Sequence, residues 1–336
     1  MINYDARDFI IRLTARTIPA MRYDGIEDYT QWKKHASDKL YELLGLPFAP
    51  CNDLFEITAE EEFEDYTKID FSYQSEEDYF VPASLVIPKG KQLPLPAAIC
   101  IQGHTSGMHI SLGNELYPQD KLHKQSRDLA LQAVKEGYCA VMLEQRYMGI
   151  CGRDENGGPL CAHKGASLPA LLLGRNAVGE RVWDVQRLID MMEKHFSGYI
   201  NTDRIMCMGN SGGGITTFYA ACVDERIQLS VPFCSVCEFE ASFIPNHHCA
   251  CSYIPGIRKY FEMGDMACLM AHRKLIIGCG VKDVEFPLWG VEKSYERAKA
   301  VFKQLDRETY CRLIKGEEGH QFYPELAWPV IRELMQ

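Results

Sequence analysis

Arg204-Ile205-Met206-Cys207-Met208-Gly209-Asn210-Ser211-Gly212-Gly213-Gly214 is an apolar run that stops abruptly in glycines around a single serine. The run reads as a short buried strand, and residues 213–222 read as a helix. Between them, Gly209-Asn210-Ser211-Gly212-Gly213 has the G-x-S-x-G spacing of a strand-to-helix turn so sharp that its serine is strained. Positions two before and two after the serine must be small, because side chains there would strike neighbouring backbone. Such a turn holds a hydroxyl at the carboxyl edge of a sheet, within reach of a base.

Working outward, short apolar segments alternate with helical ones. Strands are expected near 97–102, 138–144, 204–208, 227–234, 274–279 and 309–314, and helices near 118–136, 176–195, 213–222, 290–305 and 324–335. Continuous apolar strands joined by helices predict an α/β fold, with a mostly parallel sheet covered by helices on both faces. Residues 1–95 read differently. Trp32, Ala36, Leu40 and Leu44 fall on one face of a helix that Gly45 and Pro47 stop. Extended segments at 53–63, 67–74 and 79–88 follow, with Ile69, Phe71 and Tyr73 alternating with polar residues as in an antiparallel edge. With no repeat or linker, 1–336 is read as a single domain, 1–95 being an N-terminal extension of helix and antiparallel strands and 96–336 the core. Long connections at 149–170 and 235–264 are expected near the site.

Composition narrows the class. The chain has 336 residues, 46% hydrophobic and 24% charged, with a net charge of −10 and no cluster of Lys and Arg. That excludes attraction to nucleic-acid phosphates or anionic lipid as a working principle. No apolar run approaches the ~20 residues of a membrane span, and the first residues lack the basic-then-apolar layout of a secretory signal. The 14 cysteines show no disulfide framework, and Cys100, Cys139, Cys207, Cys234 and Cys279 fall in apolar strands. A reducing, cytoplasmic location is expected.

A serine needs a base, and the base needs a third group to fix its tautomer. On parallel sheets the chain order is Ser, acid, His. Asp283 follows the expected strand 274–279, and His320 lies on the glycine-flanked loop after 309–314, so Ser211, Asp283 and His320 are the expected catalytic set. Glu285 is the reserve acid. The developing oxyanion needs two backbone donors, expected from the N–H groups of Gly212 and of His104 in Gln102-Gly103-His104. Glu144, Arg146 and Tyr147 follow a strand and either bind substrate or serve structural ion pairs. His247, His248, Cys249 and Cys251 suggest zinc, but no second ligand motif accompanies them; no metal and no organic cofactor are expected.

The chain resembles α/β-hydrolases of the acetyl xylan esterase and dienelactone-hydrolase-related group. The resemblance rests on Trp32 with Leu43-Leu44-Gly45-Leu46-Pro47, on Gln102-Gly103-His104, and on Leu172-Leu173-Gly174-Arg175 continuing to Glu180-Arg181-Val182-Trp183-Asp184. It extends through Gly209-Asn210-Ser211-Gly212-Gly213-Gly214, Gly280-Val281-Lys282-Asp283 and Gly319-His320. It implies the α/β-hydrolase fold, the same three catalytic residues, and the N–H groups of His104 and Gly212 as the oxyanion hole. Gln102 stands where many relatives have histidine. The implied activity is hydrolysis of short-chain esters through an acyl-enzyme, with acetylated carbohydrates as the specific expectation and a small ester as the only partner apart from a second copy of the chain. The alternatives are a prolyl-oligopeptidase-like peptidase, whose propeller would not fit in ~95 N-terminal residues, and a binding protein that keeps the fold without catalysis.

Overall fold

Side chains on successive strand residues point to opposite sheet faces, and runs such as 97–101, 139–143 and 205–208 are apolar at consecutive positions, so both faces require cover. The computed structural model describes residues 4–123, 126–153, 159–161 and 167–336. Eleven strands are defined: β1 Phe55–Glu62, β2 Tyr66–Glu76, β3 Tyr79–Pro88, β4 Leu95–Ile101, β5 Cys139–Leu143, β6 Met148–Arg153, β7 Pro159–Cys161, β8 Ile200–Asn210, β9 Ile227–Phe233, β10 Lys274–Gly280 and β11 Cys311–Gly316. The helices are α1 Ala6–Arg16, α2 Tyr29–Leu44, α3 Leu129–Lys135, α4 Leu168–Leu171, α5 Ala177–His195, α6 Gly212–Val223, α7 Met263–Ala267, α8 Leu288–Gln304 and α9 Pro324–Met335. None is long and apolar enough to cross a membrane, among the described residues.

Nine strands form one sheet in the order β1-β2-β3-β5-β4-β8-β9-β10-β11. From β5 to β11 all neighbours are parallel, whereas β1, β2, β3 and β5 pair antiparallel. The expected mixed sheet is therefore present, with the antiparallel strands of the N-terminal segment continuing its edge. Alternation assigns the faces. Ile99, Ile205 and Cys207 pack with residues of α2, α5, α6 and α8. Ala98, Cys100, Met206 and Met208 pack with residues of α3 and α9 on the other side.

The chain moves outward from β4 to β5, then returns past β4 to β8. This reversal opens a crevice beyond the carboxyl ends of β4 and β8, where ligands of such sheets bind. The 102–107 loop and Ser211 lie there.

One expectation changes, one helix is additional, and one connection is described only in part. The helix expected over 118–136 is an α-helix only at Leu129–Lys135, with a 3-10 turn at Pro118–His123. Asp120 draws this stretch out of helical register by accepting from the N–H groups of Leu116 and Tyr117, both at 2.8 Å. Helix α1 was not foreseen, because of its residues only Thr14 is buried and no apolar stripe faces a core. Of the connection 149–170, residues 154–158 and 162–166 lie outside the described residues; the remainder includes the small sheet β6-β7.

Candidate active site

Ser211 occupies φ 59 and ψ −126, a conformation that L-residues avoid. The close approach of three backbone segments holds it there. A Cβ on Gly209 would lie 2.5 Å from the Gly213 carbonyl oxygen, and one on Gly213 would lie 2.1 Å from that of Ile101. The Ser211 N–H donates to the Phe233 carbonyl at 2.9 Å, and its own carbonyl accepts from Ile215 at 2.9 Å. The turn is fixed from both sides.

Asp283 and His320 reach the same rim from the ends of β10 and β11, respectively. The strand ends are clamped together: the Val281 N–H donates to Gly316 at 2.8 Å and the Lys282 N–H to Glu318 at 3.0 Å. A Cβ on Gly280 would fall 1.9 Å from the Gly319 carbonyl oxygen. His320 Nδ1 lies 2.8 Å from Asp283 Oδ2. Asp283 Oδ1 accepts from the N–H groups of Glu285 at 2.9 Å and Phe286 at 3.1 Å. Burial works to raise the Asp283 carboxyl, but the His320 partner and these N–H donors outweigh it, so it sits below the usual carboxylate range. Glu285, the reserve acid, stands 4.0 Å from Nδ1 and is 58% exposed. Because an ionised carboxylate can only accept, Nδ1 carries the proton and Nε2 is left as the basic nitrogen.

Ser211, Gly212, His104 and His320 line one cavity of about 290 Å³, with His247, His248, Cys249, Ser252, Arg127, Glu285 and Phe286 among its other walls. The 235–264 connection thus reaches the cavity. A Cβ on Gly103 would sit 2.6 Å from the Asn210 carbonyl oxygen and 3.1 Å from Ser211 Cβ, so the backbone before His104 passes directly against the serine. The His104 ring covers Gly212, whose added Cβ would lie 2.8 Å from both Cε1 and Nδ1. Gly212 opens α6, and the first N–H groups of a helix have no intrahelical acceptor. The Gln102 side chain turns away and braces the loop, donating to Ser111 Oγ and to the Arg127 carbonyl.

Glu144, Arg146 and Tyr147 do not line this cavity. Of the two expected roles, the contacts in the structure match the structural one. Arg146 is buried and donates to both Asp184 oxygens, each at 2.8 Å, and pairs with Glu76 at 2.6 Å. The Tyr147 hydroxyl donates to Glu180 at 2.6 Å, and Arg175 bridges Glu76 and Glu180. The Arg175, Glu180 and Asp184 positions quoted above for the resemblance are therefore parts of one buried ion-pair network. Glu144 accepts from the Met108 N–H at 3.2 Å. Burial pushes its carboxyl up to about 8.

Two groups were not foreseen from sequence. Ser106, His109 and Asp120 form a second Ser-His-Asp cluster. Serine and aspartate approach the same ring nitrogen there, so no proton can be passed across the ring, and the cluster braces the loop. His104 Nε2 lies 3.3 Å from Cys251 Sγ, and Arg181 Nη1 is 3.4 Å from that sulfur. Contacts with Cys249 first, then Arg181 and His104, hold the Cys251 thiol well below the usual range. His248 belongs elsewhere: it meets Ser242 Oγ at 2.9 Å and stacks on Phe243.

The fold that carries this site has counterparts among known proteins. The "Putative hydrolase YtaP" of Bacillus subtilis (strain 168) is 24% identical over 242 residues, covering 71% of this chain and 77% of that protein. A "putative acetyl xylan esterase" from Bacteroides fragilis NCTC 9343 superposes with a TM-score of 0.81 at 18% identity, covering 99% of this chain and 96% of that one. A glucuronoyl esterase from Solibacter usitatus gives 0.73 at 14% identity over 96% of this chain and 98% of that one. The two structural likenesses show that the fold is shared. The model of the Abhydrolase family matches residues 14–321, which take in the strained serine, the clamped Asp283 and His320, and nearly all of the sheet that carries them; the chain belongs to that family.

Proposed function

We propose that the protein is a serine esterase that cleaves short-chain carboxylic esters through an acyl-enzyme. The supporting observation is the pairing of His320 with Asp283 at 2.8 Å on the rim that also holds the strained Ser211. His320 Nε2 takes the Ser211 proton as Oγ attacks the ester carbonyl, and Asp283 stabilises the imidazolium. The N–H groups of His104 and Gly212 receive the oxyanion. Collapse expels the alcohol, protonated by His320. Water, activated by the same nitrogen, then releases the acid.

A cavity of about 290 Å³ stands at the lower end of ligand-site volumes, about 300–1,000 Å³. This favours a small acyl group, and an acetyl ester of a small carbohydrate is the proposed substrate. The structural neighbour described as a putative acetyl xylan esterase supports the acetyl ester, and the glucuronoyl esterase supports the broader reading of an ester hydrolase. We take 1–336 as one domain, since β1–β3 continue the core sheet, and place it in a reducing compartment, which buried thiols such as Cys100, Cys139 and Cys207 suit.

The test is labelling with a fluorophosphonate and hydrolysis of p-nitrophenyl acetate. Wild-type protein should do both and Ser211→Ala neither. An unlabelled wild-type protein, or full turnover in Ser211→Ala, would overturn the reading.

A further inference from the structure

We propose that His104, Cys249 and Cys251 form a binding site for a thiophilic divalent cation such as Zn²⁺ on the wall of the reaction cavity, and that filling it blocks hydrolysis. The inhibition rests on the esterase reading; the ion site stands by itself.

The ligand atoms of these three residues all lie within 4.8 Å of one another. His104 Nε2 and Cys251 Sγ are already 3.3 Å apart. Tetrahedral zinc, with Zn–N near 2.0–2.1 Å and Zn–S near 2.3 Å, needs ligand-to-ligand edges of about 3.5–3.8 Å, so small rotamer shifts suffice. One imidazole with two thiolates is a soft donor set that prefers zinc to the hard cations. Three protein ligands leave a fourth position for water.

The ligands are held by independent supports. Cys249 and Cys251 share a turn closed by the Ser252 N–H donating to the Cys249 carbonyl at 3.0 Å. Arg181 reaches Cys251 Sγ while its Nε and Nη2 donate to the Arg146 carbonyl at 3.0 and 2.8 Å. It acts as the outer partner that orients a metal thiolate. His104 comes from the loop after β4, 147 residues from Cys251 in sequence.

Position explains the effect. His104 and Cys249 both line the cavity that contains Ser211, and the His104 ring covers Gly212. An ion on His104 Nε2 fixes this ring and sets a charged, hydrated centre where the ester must enter. A second group, Cys234, Asp283 and His320, is equally close-set, but its imidazole and carboxylate already bind each other in the proposed acid–base pair.

The experiment uses the fully reduced, full-length chain titrated with Co²⁺ as a spectroscopic substitute and with Zn²⁺ in competition. Wild-type protein and Ser211→Ala should both develop a thiolate-to-cobalt charge-transfer band that saturates at one ion per chain and is displaced by Zn²⁺. Cys249→Ser and Cys251→Ser, shown to be folded by thermal melts, should weaken binding at least about 100-fold. Absence of the band, or its persistence in both cysteine variants, overturns the site. Zn²⁺ at saturation should abolish p-nitrophenyl acetate hydrolysis, and a chelator should restore it; binding without inhibition overturns the blocking role. A chain that shows the band but cleaves no ester refutes the esterase reading and leaves the ion site standing.

Discussion

Replacing Asp283 with asparagine tests how His320 is held, with little change in shape. Asp283 Oδ1 accepts two backbone N–H groups, at 2.9 and 3.1 Å, while Oδ2 faces His320 Nδ1 at 2.8 Å. An asparagine must place its carbonyl oxygen where the two N–H groups point, which turns its NH₂ toward Nδ1. The ring then accepts at Nδ1 and carries its proton on Nε2, the tautomer that cannot take a proton from Ser211. A wrong tautomer with intact geometry costs about 10⁴-fold in kcat, or about 5 kcal/mol at about 1.4 kcal/mol per decade. The assay is kcat for p-nitrophenyl acetate, with active sites counted by fluorophosphonate titration and the melting temperature recorded. The expected result is a kcat loss near that size, with KM little changed and a folded protein. A loss below about ten-fold, roughly 1.4 kcal/mol, would refute the assignment of Asp283 as the orienting group. Glu285, 4.0 Å from Nδ1, would then be the next residue to replace.

Arg146→Met should destabilise the protein by about 3–5 kcal/mol, because it strands the buried Asp184 carboxylate, whereas Glu76 keeps Arg175; urea denaturation measures this. Activity per titrated site should hold in that variant, whereas a substrate-binding Arg146 would show a raised KM instead. Gly213→Ala should cost at least about 3 kcal/mol, because its methyl would meet the Ile101 carbonyl oxygen at 2.1 Å; a soluble, fully active variant would contradict the packing described for the turn. Glu144 gives a pH prediction. Its folded carboxyl is raised from 4.5 to about 8, so across that window the folded state keeps a proton that the unfolded state has lost. Stability then falls as pH rises through the window. Glu144→Gln should flatten the decline of melting temperature between pH 5 and 8, and an unchanged slope would disprove it.

The parallel core was legible because burial on both faces leaves one pattern. Residues 227–234 and 274–279 were read as strands from apolar runs alone, and β9 and β10 lie at Ile227–Phe233 and Lys274–Gly280. Strand β8 begins earlier than the apolar run, at Ile200, because Asp203 and Arg204 are exposed and carry no hydrophobic signal. The residues proposed for catalysis were legible because each follows a strand within a glycine-marked loop. What escaped was every contact that depends on convergence from distant segments. Arg146 reads equally well as a ligand-binding or a structural side chain, and its partners Asp184, Glu76 and Glu180 lie at three other places in the chain. The proximity of His104 to Cys249 and Cys251 is hidden for the same reason: His104 comes from a segment 147 residues away from Cys251, and nothing in the spacing of 247–251 points there.

The two halves of the candidate site are rigid for different reasons, and this bears on what each can tolerate. Around Ser211, rigidity comes from the absence of side chains. The Gly209, Gly213 and Gly103 backbones come so close to their neighbours that even a methyl would collide, and this crowding holds φ at 59. Around His320, rigidity comes from polar bonds: two N–H groups on Asp283 and two strand-end hydrogen bonds tie β10 to β11. Substitution of a glycine should therefore act on folding first, since the collision exists before any substrate arrives. Substitution of Asp283 or His320 should spare the fold and act on proton transfer, since their bonds lie at the ends of strands already paired along their lengths. The Cys249–Cys251 turn belongs to neither half. It reaches the first through the His104 ring and through Met148, both of which lie over Gly212, so a ligand at the proposed sulfur site would act on Ser211 through side chains that cover the start of α6.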